Sequence, residues 1–78
     1  MAITAKTASQ AAAQYIKELF GEPFGLALEE VEQSKDGRFW LITLGYNPNI
    51  FTARRQYKIL MVDAETGKVV SMKIRKLE

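Results

Sequence analysis

The chain of 78 residues contains no cysteine and no histidine. The first absence excludes disulfides, thiolate nucleophiles and cysteine-ligated zinc. The second removes the commonest general base and the commonest transition-metal ligand. The five glycines are scattered singly, so no glycine-rich phosphate loop is present. These absences predict a protein that is not an enzyme and that needs no cofactor and no metal.

The sequence also lacks a long apolar run. No stretch approaches the roughly 20 residues that a membrane helix needs, and the N-terminal segment has no apolar core behind a basic start, as a secretory signal would. Hydrophobic residues at 47% and charged residues at 26% are ordinary for a soluble globular protein. We therefore expect a single domain over residues 1–78, located in the cytoplasm and without a membrane partner.

Two predicted strands and the turn between them form the clearest pattern in the chain. Tyr57–Val62 and Val69–Ile74 are rich in β-branched, aromatic and long apolar residues. Asp63 can accept hydrogen bonds from the backbone N–H groups that follow it, and Gly67 can adopt the positive φ that closes a short loop. The pattern predicts a β-hairpin.

The N-terminal third predicts one helix. Thr7–Gln10 has the form of a capping box, and apolar residues recur after it at three- and four-residue spacing. Gly21 offers a C-cap and Pro23 prevents continuation. We expect a helix from about Ala8 to Phe20 with Phe20 as a core filler, so that truncating Phe20 to alanine would cost about 3 to 5 kcal/mol.

Two further strands are predicted between the helix and the hairpin. Leu26–Gln33 alternates, but the alternation slips between Leu28 and Val31, which indicates a bulge or bend. An Asp-Gly turn separates it from Arg38–Tyr46, a strand that is apolar on both faces. One helix followed by three or four strands with short turns predicts an α+β fold. The strands would form an antiparallel meander, with the helix packed on one face.

The helix can cover only one face of this sheet. We expect Val70, Met72 and Ile74 to point toward it, and in the partner strand Leu60 and Val62. A one-residue error in the turn would exchange the two alternating sets of that partner strand. In either case apolar side chains remain on the uncovered face.

Those uncovered side chains predict a binding surface. A contiguous exposed apolar surface of more than a few hundred Å² is unusual for a monomer. Tyr, Trp, Met and Arg are the residue types enriched at protein interfaces. Either Phe39 and Leu41 or Trp40 and Ile42 would lie beside the outward residues of the final hairpin. The first hypothesis is a module that binds an unknown protein partner or forms a homodimer. The candidate partner-binding residues are Trp40, Tyr57, Ile59, Met61, Lys73 and Arg75.

Two alternatives use the same surface. Aromatic residues among Lys58, Lys73, Arg75 and the Arg54–Arg55 pair could bind nucleic acid or another anionic ligand. The net charge of only +2 and the acidic strand weigh against this alternative. In the other alternative the uncovered face holds a small apolar ligand, or the loop folds over it with Ile50–Phe51 as lid residues.

The acidic strand itself carries the chain's only cluster of carboxylates, Glu29, Glu30 and Glu32. Paired carboxylates can act as acid and base or bind calcium. Nothing nearby in the sequence indicates the desolvation that raises a carboxylate pKa. We interpret the three glutamates as solvated charges at a sheet edge.

The residues of the final hairpin resemble a known family. An aromatic-led strand that ends in Val-Asp-Ala-Glu-Thr-Gly before a valine-rich strand, here Val62–Val70, is similar to the signature of the PepSY-like domain, and the resemblance covers most of residues 8–75. It implies a non-catalytic α+β domain that binds or inhibits a protein partner. The family defines no catalytic residues, and Asp63, Thr66 and Gly67 match its structural turn.

Overall fold

A computed structural model describes residues 2–48, 51 and 54–75. The four strands form one antiparallel sheet in the order β1-β2-β3-β4, and the helix lies on one of its faces. The predicted α+β meander is therefore confirmed, with four strands. The elements are α1 (Ala5–Phe20), β1 (Phe24–Gln33), β2 (Phe39–Asn47), β3 (Gln56–Asp63) and β4 (Val69–Ile74).

The helix starts earlier than predicted. It begins at Ala5, and the N-cap is Thr4, whose side-chain oxygen accepts a hydrogen bond from the Thr7 backbone N–H at 3.1 Å. The predicted capping box at Thr7–Gln10 is wrong, because an equivalent hydroxyl three residues upstream caps a longer helix. The predicted C-cap is present: Gly21, at a φ of 80°, donates its N–H to the Lys17 carbonyl.

The core lies between α1 and the two central strands. Ala8, Ala12 and Ile16 form the fully buried stripe of the helix. Since two of the three are alanines, the helix backbone can approach the sheet closely. The buried sheet residues that complete this core are Ile42, Leu44, Tyr46, Leu60 and Val62.

The last residue of the helix does not fill the core. Phe20 is 54% exposed, so the predicted filler role is wrong. The buried Tyr46 already closes the core at this end, and the Phe20 ring stacks over it with the ring centroids 6.2 Å apart. Phe20 therefore covers the core from outside.

Replacing Phe20 with alanine should consequently cost less than a core truncation. We expect a loss of about 1 to 2 kcal/mol in the free energy of unfolding, from partial burial and one aromatic pair. Urea unfolding followed by circular dichroism measures this loss, with Ile16→Ala as the buried control. A Phe20→Ala loss as large as that of Ile16→Ala would contradict the observed position.

The first strand is irregular where the sequence indicated. β1 begins at Phe24, two residues before the predicted start at Leu26. Its pairing with β2 shifts register between Leu28 and Glu30, which confirms the predicted bulge, and again between Phe24 and Ala27. Bulges of this kind bend an edge strand and redirect its side chains.

The two alternating sets of β3 face the directions expected from the sequence. Leu60 and Val62 are fully buried beneath the helix. In β4, Met72 packs against the same core, but Val70 is 52% exposed and Ile74 is 70% exposed. The expectation that all three residues of β4 are covered by the helix is therefore wrong for two of them. Val70 is the extra residue of a bulge, and Ile74 lies at the outer end of the edge strand.

The final turn is held by one carboxylate. Oδ1 of Asp63 accepts hydrogen bonds from the backbone N–H groups of Glu65 at 2.7 Å and Thr66 at 2.9 Å. Thr66 in turn accepts from the Lys68 N–H through its hydroxyl. Gly67 has a φ of 77° and donates its N–H to the Asp63 carbonyl. These contacts fix the hairpin and therefore the faces of β3 and β4.

Both turn aspartates should make the protein sensitive to acid. Hydrogen bonds from the backbone N–H groups of Thr66 and Glu65 hold the pKa of Asp63 below its ordinary value. The pKa of Asp36 in the β1–β2 turn is lowered in the same way by the Arg38 N–H and the Ser34 hydroxyl. A lowered folded-state pKa means stabilisation that is complete above about pH 4 and is lost as the pH falls through the lowered pKa.

The measurement is the urea midpoint as a function of pH. We expect it to fall as the pH is lowered below about 4 in the wild type and to fall less in Asp63→Asn, which keeps an Oδ1 acceptor but does not titrate. Glu65→Gln, in the same turn, serves as the control. Identical pH profiles for the wild type and Asp63→Asn would contradict the claim that protonation of Asp63 destabilises the fold.

Candidate functional site

The site proposed from the sequence lies on the sheet face opposite α1. In the strand register, residues that alternate with the core positions share this helix-free face. Tyr57, Ile59, Met61, Lys73 and Arg75 of the predicted set are on this side. The residues of the helix-free face on the three strands that pair through β3 are Phe39, Leu41, Thr43, Gly45, Tyr57, Ile59, Met61, Ser71 and Lys73.

Trp40 does not belong to this face. It pairs with Val62, packs against the core on the helix side and donates its indole N–H to the Ile3 carbonyl at 3.2 Å. The prediction that Trp40 is one of the partner-binding residues of this face is therefore wrong. Both alternating sets of β2 are apolar, so the sequence could not decide between them. The structure selects Phe39 and Leu41 as the neighbours of the hairpin residues.

Four apolar side chains meet at one end of the helix-free face. Leu41 pairs with Met61, while Phe39 and Ile59 occupy the adjacent positions on the same side of their strands. We call Phe39, Leu41, Ile59 and Met61 the apolar patch. Each is only half-buried within the chain. Beside the patch, the Arg38 guanidinium lies over the Phe39 ring, 5.7 Å from its centroid.

An arginine bridge crosses the other end of the face. Nη1 of Arg75 lies 3.1 Å from Oε1 of Glu30 and 3.5 Å from Oγ1 of Thr43. The side chain therefore reaches from the end of β4 across β3 and β2 toward β1. Thr43 is only 3% exposed, although α1 is on the opposite side of the sheet. The bridge thus contributes to covering this part of the face.

A second arginine covers the neighbouring glycine. Arg55 donates to the Gly25 carbonyl at 2.8 Å and to Oδ1 of Asn47 at 3.1 Å, and its Nη2 lies 3.5 Å from Oε2 of Glu29. A Cβ atom at Gly45 would come within 2.8 Å of that Glu29 oxygen and 2.9 Å of the Tyr57 ring. An added methyl group at position 45 would therefore require the Glu29 carboxylate and the Tyr57 ring to shift.

The helix-free face is thus divided into an apolar half and a bridged half. Sequence reasoning found the first and missed the second. One signal was available, because the bulge predicted between Leu28 and Val31 changes the direction of the intervening side chains. The arginine partners of Glu29 and Glu30, however, are distant in the sequence and no local pattern marks them.

Substituting alanine at Gly45 should disturb the bridged half. We expect a loss of about 1 to 3 kcal/mol in the free energy of unfolding, because the added methyl group displaces the Tyr57 ring and the Arg55–Glu29 pair. Denaturant unfolding gives the loss, and chemical shifts of the Tyr57 ring report the displacement. In a Tyr57→Ala background the loss should shrink. An equal loss in both backgrounds would show that the ring is not what the methyl group meets.

One of the two lid residues considered from the sequence, Phe51, is exposed in the structure. Phe51 is 90% exposed and so does not cover the apolar patch. Ile50, the other proposed lid residue, lies outside the described residues. The apolar patch is therefore not covered by Phe51.

A groove of about 460 Å³ opens beside the bridged half, where β3 begins and β4 ends. Four of its lining residues are cationic, and two of these are the arginines of the bridges. Its lining residues are Arg54, Arg55, Gln56, Tyr57, Lys58, Ile74 and Arg75. The groove therefore brings together four of the cationic residues predicted from the sequence to bind an anionic ligand, Arg54, Arg55, Lys58 and Arg75.

Residues 2–48, 51 and 54–75 lack two kinds of structural feature. These residues contain no group of three or more acidic, histidine or cysteine side chains placed to hold a metal ion. They also contain no helix that is long and apolar enough to cross a membrane.

Comparison with known proteins gives no relative from which a role could be transferred. Neither family models, curated proteins nor solved structures match this chain. The resemblance to the PepSY-like domain therefore depends on the sequence pattern described above.

Proposed function

We propose that this protein is a small non-catalytic module that binds a protein partner, or a second copy of itself, through the helix-free face. The observation that carries this proposal is the apolar patch: Phe39, Leu41, Ile59 and Met61 lie together on the face that α1 leaves uncovered. A partner seated there would remove further apolar area from water, at about 25 cal/mol per Å².

The surroundings of the patch have the composition of an interface rim. Glu32 is exposed on the β1 side, opposite Leu41, and Lys73 is exposed on the β4 side, opposite Ile59. An apolar centre between charged residues is the usual arrangement of protein interfaces. Tyr57 lies in the bridged half, beside Gly45, where an aromatic ring can serve as an anchor.

Two finer statements belong to the same proposal. The Val62–Val70 pattern supports a relationship to the PepSY-like domain and with it a role as inhibitor or regulator of a partner protein. The cysteine-free composition supports a cytoplasmic location.

The test uses two variants that each replace an apolar residue with glutamate. Ile59→Glu places a charge within the apolar patch. Leu28→Glu places the same charge on the helix side of β1, where Leu28 is already exposed and pairs with Leu44. Both variants and the wild type are immobilised, and proteins retained from the native cell extract are identified by mass spectrometry. Light scattering of each variant reports self-association.

We expect the wild type and Leu28→Glu to retain the same partner protein, and Ile59→Glu to lose it while its circular dichroism spectrum stays unchanged. Self-association through the helix-free face would be seen as a larger oligomer in the wild type than in Ile59→Glu. A partner that is retained equally by Ile59→Glu would contradict the proposal. So would a partner that is lost only with Leu28→Glu.

The basic groove supports a second candidate function, binding of nucleic acid or another anionic ligand. Counterion release would make such binding weaken steeply between roughly 50 and 200 mM salt. A titration with random single-stranded nucleic acid tests it, with Lys58→Glu in the groove and Lys68→Glu in the β3–β4 turn as the matched control. Absence of binding at low salt would eliminate nucleic acid, and equal loss in both variants would eliminate the groove.

A further inference from the structure

Some backbone N–H and C=O groups of β4 point away from the sheet. β4 is the last strand in the order of the sheet, so one of its edges faces away from β3. The Arg75 N–H donates to the Tyr57 carbonyl at 2.9 Å, and Lys58 pairs with Ile74. In an antiparallel ladder, hydrogen-bonded and non-hydrogen-bonded pairs alternate, so Ile74 and Met72 direct their N–H and C=O groups away from β3. Such groups form a template for a further strand.

The exposed apolar side chains of β4 flank this template. Val70 and Ile74 are both more than half exposed, and they lie on either side of Met72 in the sequence. α1 covers Met72 but not these two residues, because Val70 is the extra residue of the bulge and Ile74 is the last residue of β4. A further strand beside β4 would cover both.

The two edges of the sheet differ in how well they resist strand pairing. β1 has two register shifts and presents Glu29, Glu30 and Glu32, and bulges and charges are the usual protection of a sheet edge. β4 has a single register shift, at Val70, and from Ser71 to Ile74 it pairs with β3 in an unbroken register. The β4 edge is therefore the one that a second strand can join.

We propose that β4 pairs antiparallel with β4 of a second copy about a two-fold axis at Met72, which joins the two sheets into one. In this register Met72 lies opposite Met72 of the second copy, and the exposed Ile74 of each copy comes beside the bulge that carries the exposed Val70 of the other. The outward N–H and C=O groups of Met72 hydrogen-bond to their own symmetry equivalents. An interface of this kind is self-complementary, as two-fold symmetry requires.

The side chains fit this register. Each exposed Ile74 comes beside the exposed Val70 of the other copy, so the contact would remove apolar surface of both residues from water. On the helix-free side Ser71 lies opposite Lys73 of the second copy, so no two like charges face each other directly. The two Lys73 residues are diagonal neighbours, and their repulsion is screened by salt. The dimer therefore forms more readily at higher ionic strength.

This dimer goes beyond the function proposed above, because it uses the edge of the sheet and leaves the apolar patch free. The variant that isolates it is Ile74→Pro. Proline at position 74 removes an outward N–H that the β3–β4 ladder does not use, and edge strands tolerate proline at such positions. Ile59→Glu, in the apolar patch, is the matched control.

Sedimentation equilibrium over a range of concentrations measures dimerisation. We expect a concentration-dependent dimer for the wild type and for Ile59→Glu, and dissociation that is about tenfold or more easier for Ile74→Pro. A wild type that is monomeric at every concentration would overturn the proposal. A dimer that persists in Ile74→Pro would overturn it as well. A dimer that Ile59→Glu also abolishes would overturn it and would place the contact on the helix-free face.

Amide hydrogen exchange of the wild type gives a second readout that needs no variant. The amides of Met72 and Ile74 should become better protected from exchange as the protein concentration rises. The amide of Lys73 is already directed at β3, so its protection should not depend on concentration. Exchange at Met72 and Ile74 that is independent of concentration would overturn the edge dimer, whether or not Ile74→Pro folds.

Discussion

Replacing Leu60 with alanine should lower the free energy of unfolding by about 2 to 5 kcal/mol. Leu60 is fully buried between Ile42 and Met72 on the helix side of the sheet, so the truncation leaves a cavity in the centre of the core. A domain of this size is stabilised by only about 4 to 12 kcal/mol in total. The variant should therefore unfold at a much lower urea concentration than the wild type.

The neighbouring residue provides the control. Ile59 has almost the same volume and lies on the same strand, but its side chain is half-buried on the helix-free face. Ile59→Ala should cost less, about 1 to 2 kcal/mol, since part of its surface is already in water. Equal losses for the two variants would mean that both faces of β3 are equally covered, which would contradict the division into a core face and a binding face.

Enlarging the buried stripe of the helix should have the second large effect. Ala12 is fully buried where α1 crosses the sheet, so Ala12→Leu has no space for its added carbon atoms. Overpacking of this kind costs about 1 to 3 kcal/mol, and occasionally more. We expect the helix to move away from the sheet, which would be seen as a lowered urea midpoint and as faster amide exchange in α1.

Gln14→Leu is the matched control for the same helix. Gln14 is exposed, and leucine has a slightly better helix propensity than glutamine or an equal one. Its stability should remain within about 0.5 kcal/mol of the wild type. If Ala12→Leu were equally harmless, the helix would not be in close contact with the sheet at this position.

The parts of the fold that local chemistry determines could be predicted from the sequence. The carboxylate of Asp63 and the positive φ of Gly67 define the final turn. Which residues of β3 face the helix stayed open, because a shift of one residue in the pairing exchanges the two alternating sets. The bulge in β1 was also visible, because the alternation of apolar residues slips at that point. The helix end at Gly21 followed from its C-cap chemistry.

Features that depend on packing between elements could not be predicted in this way. In β2 both alternating sets are apolar, so only the position of the helix decides that Trp40 is inward and Leu41 outward. Phe20 has the spacing of a core residue but is displaced by the buried Tyr46. The Arg75–Glu30 bridge joins residues 45 positions apart, a contact that no local pattern encodes.

The central claim is that the helix-free face is the surface on which a partner binds. Photo-methionine incorporation tests it directly, because Met61 lies in the apolar patch whereas Met72 lies on the helix side of β4. After irradiation in native cell extract, we expect cross-links to a partner protein that map to Met61. A partner protein other than a second copy of this chain that is cross-linked at Met72 and not at Met61 would contradict the account.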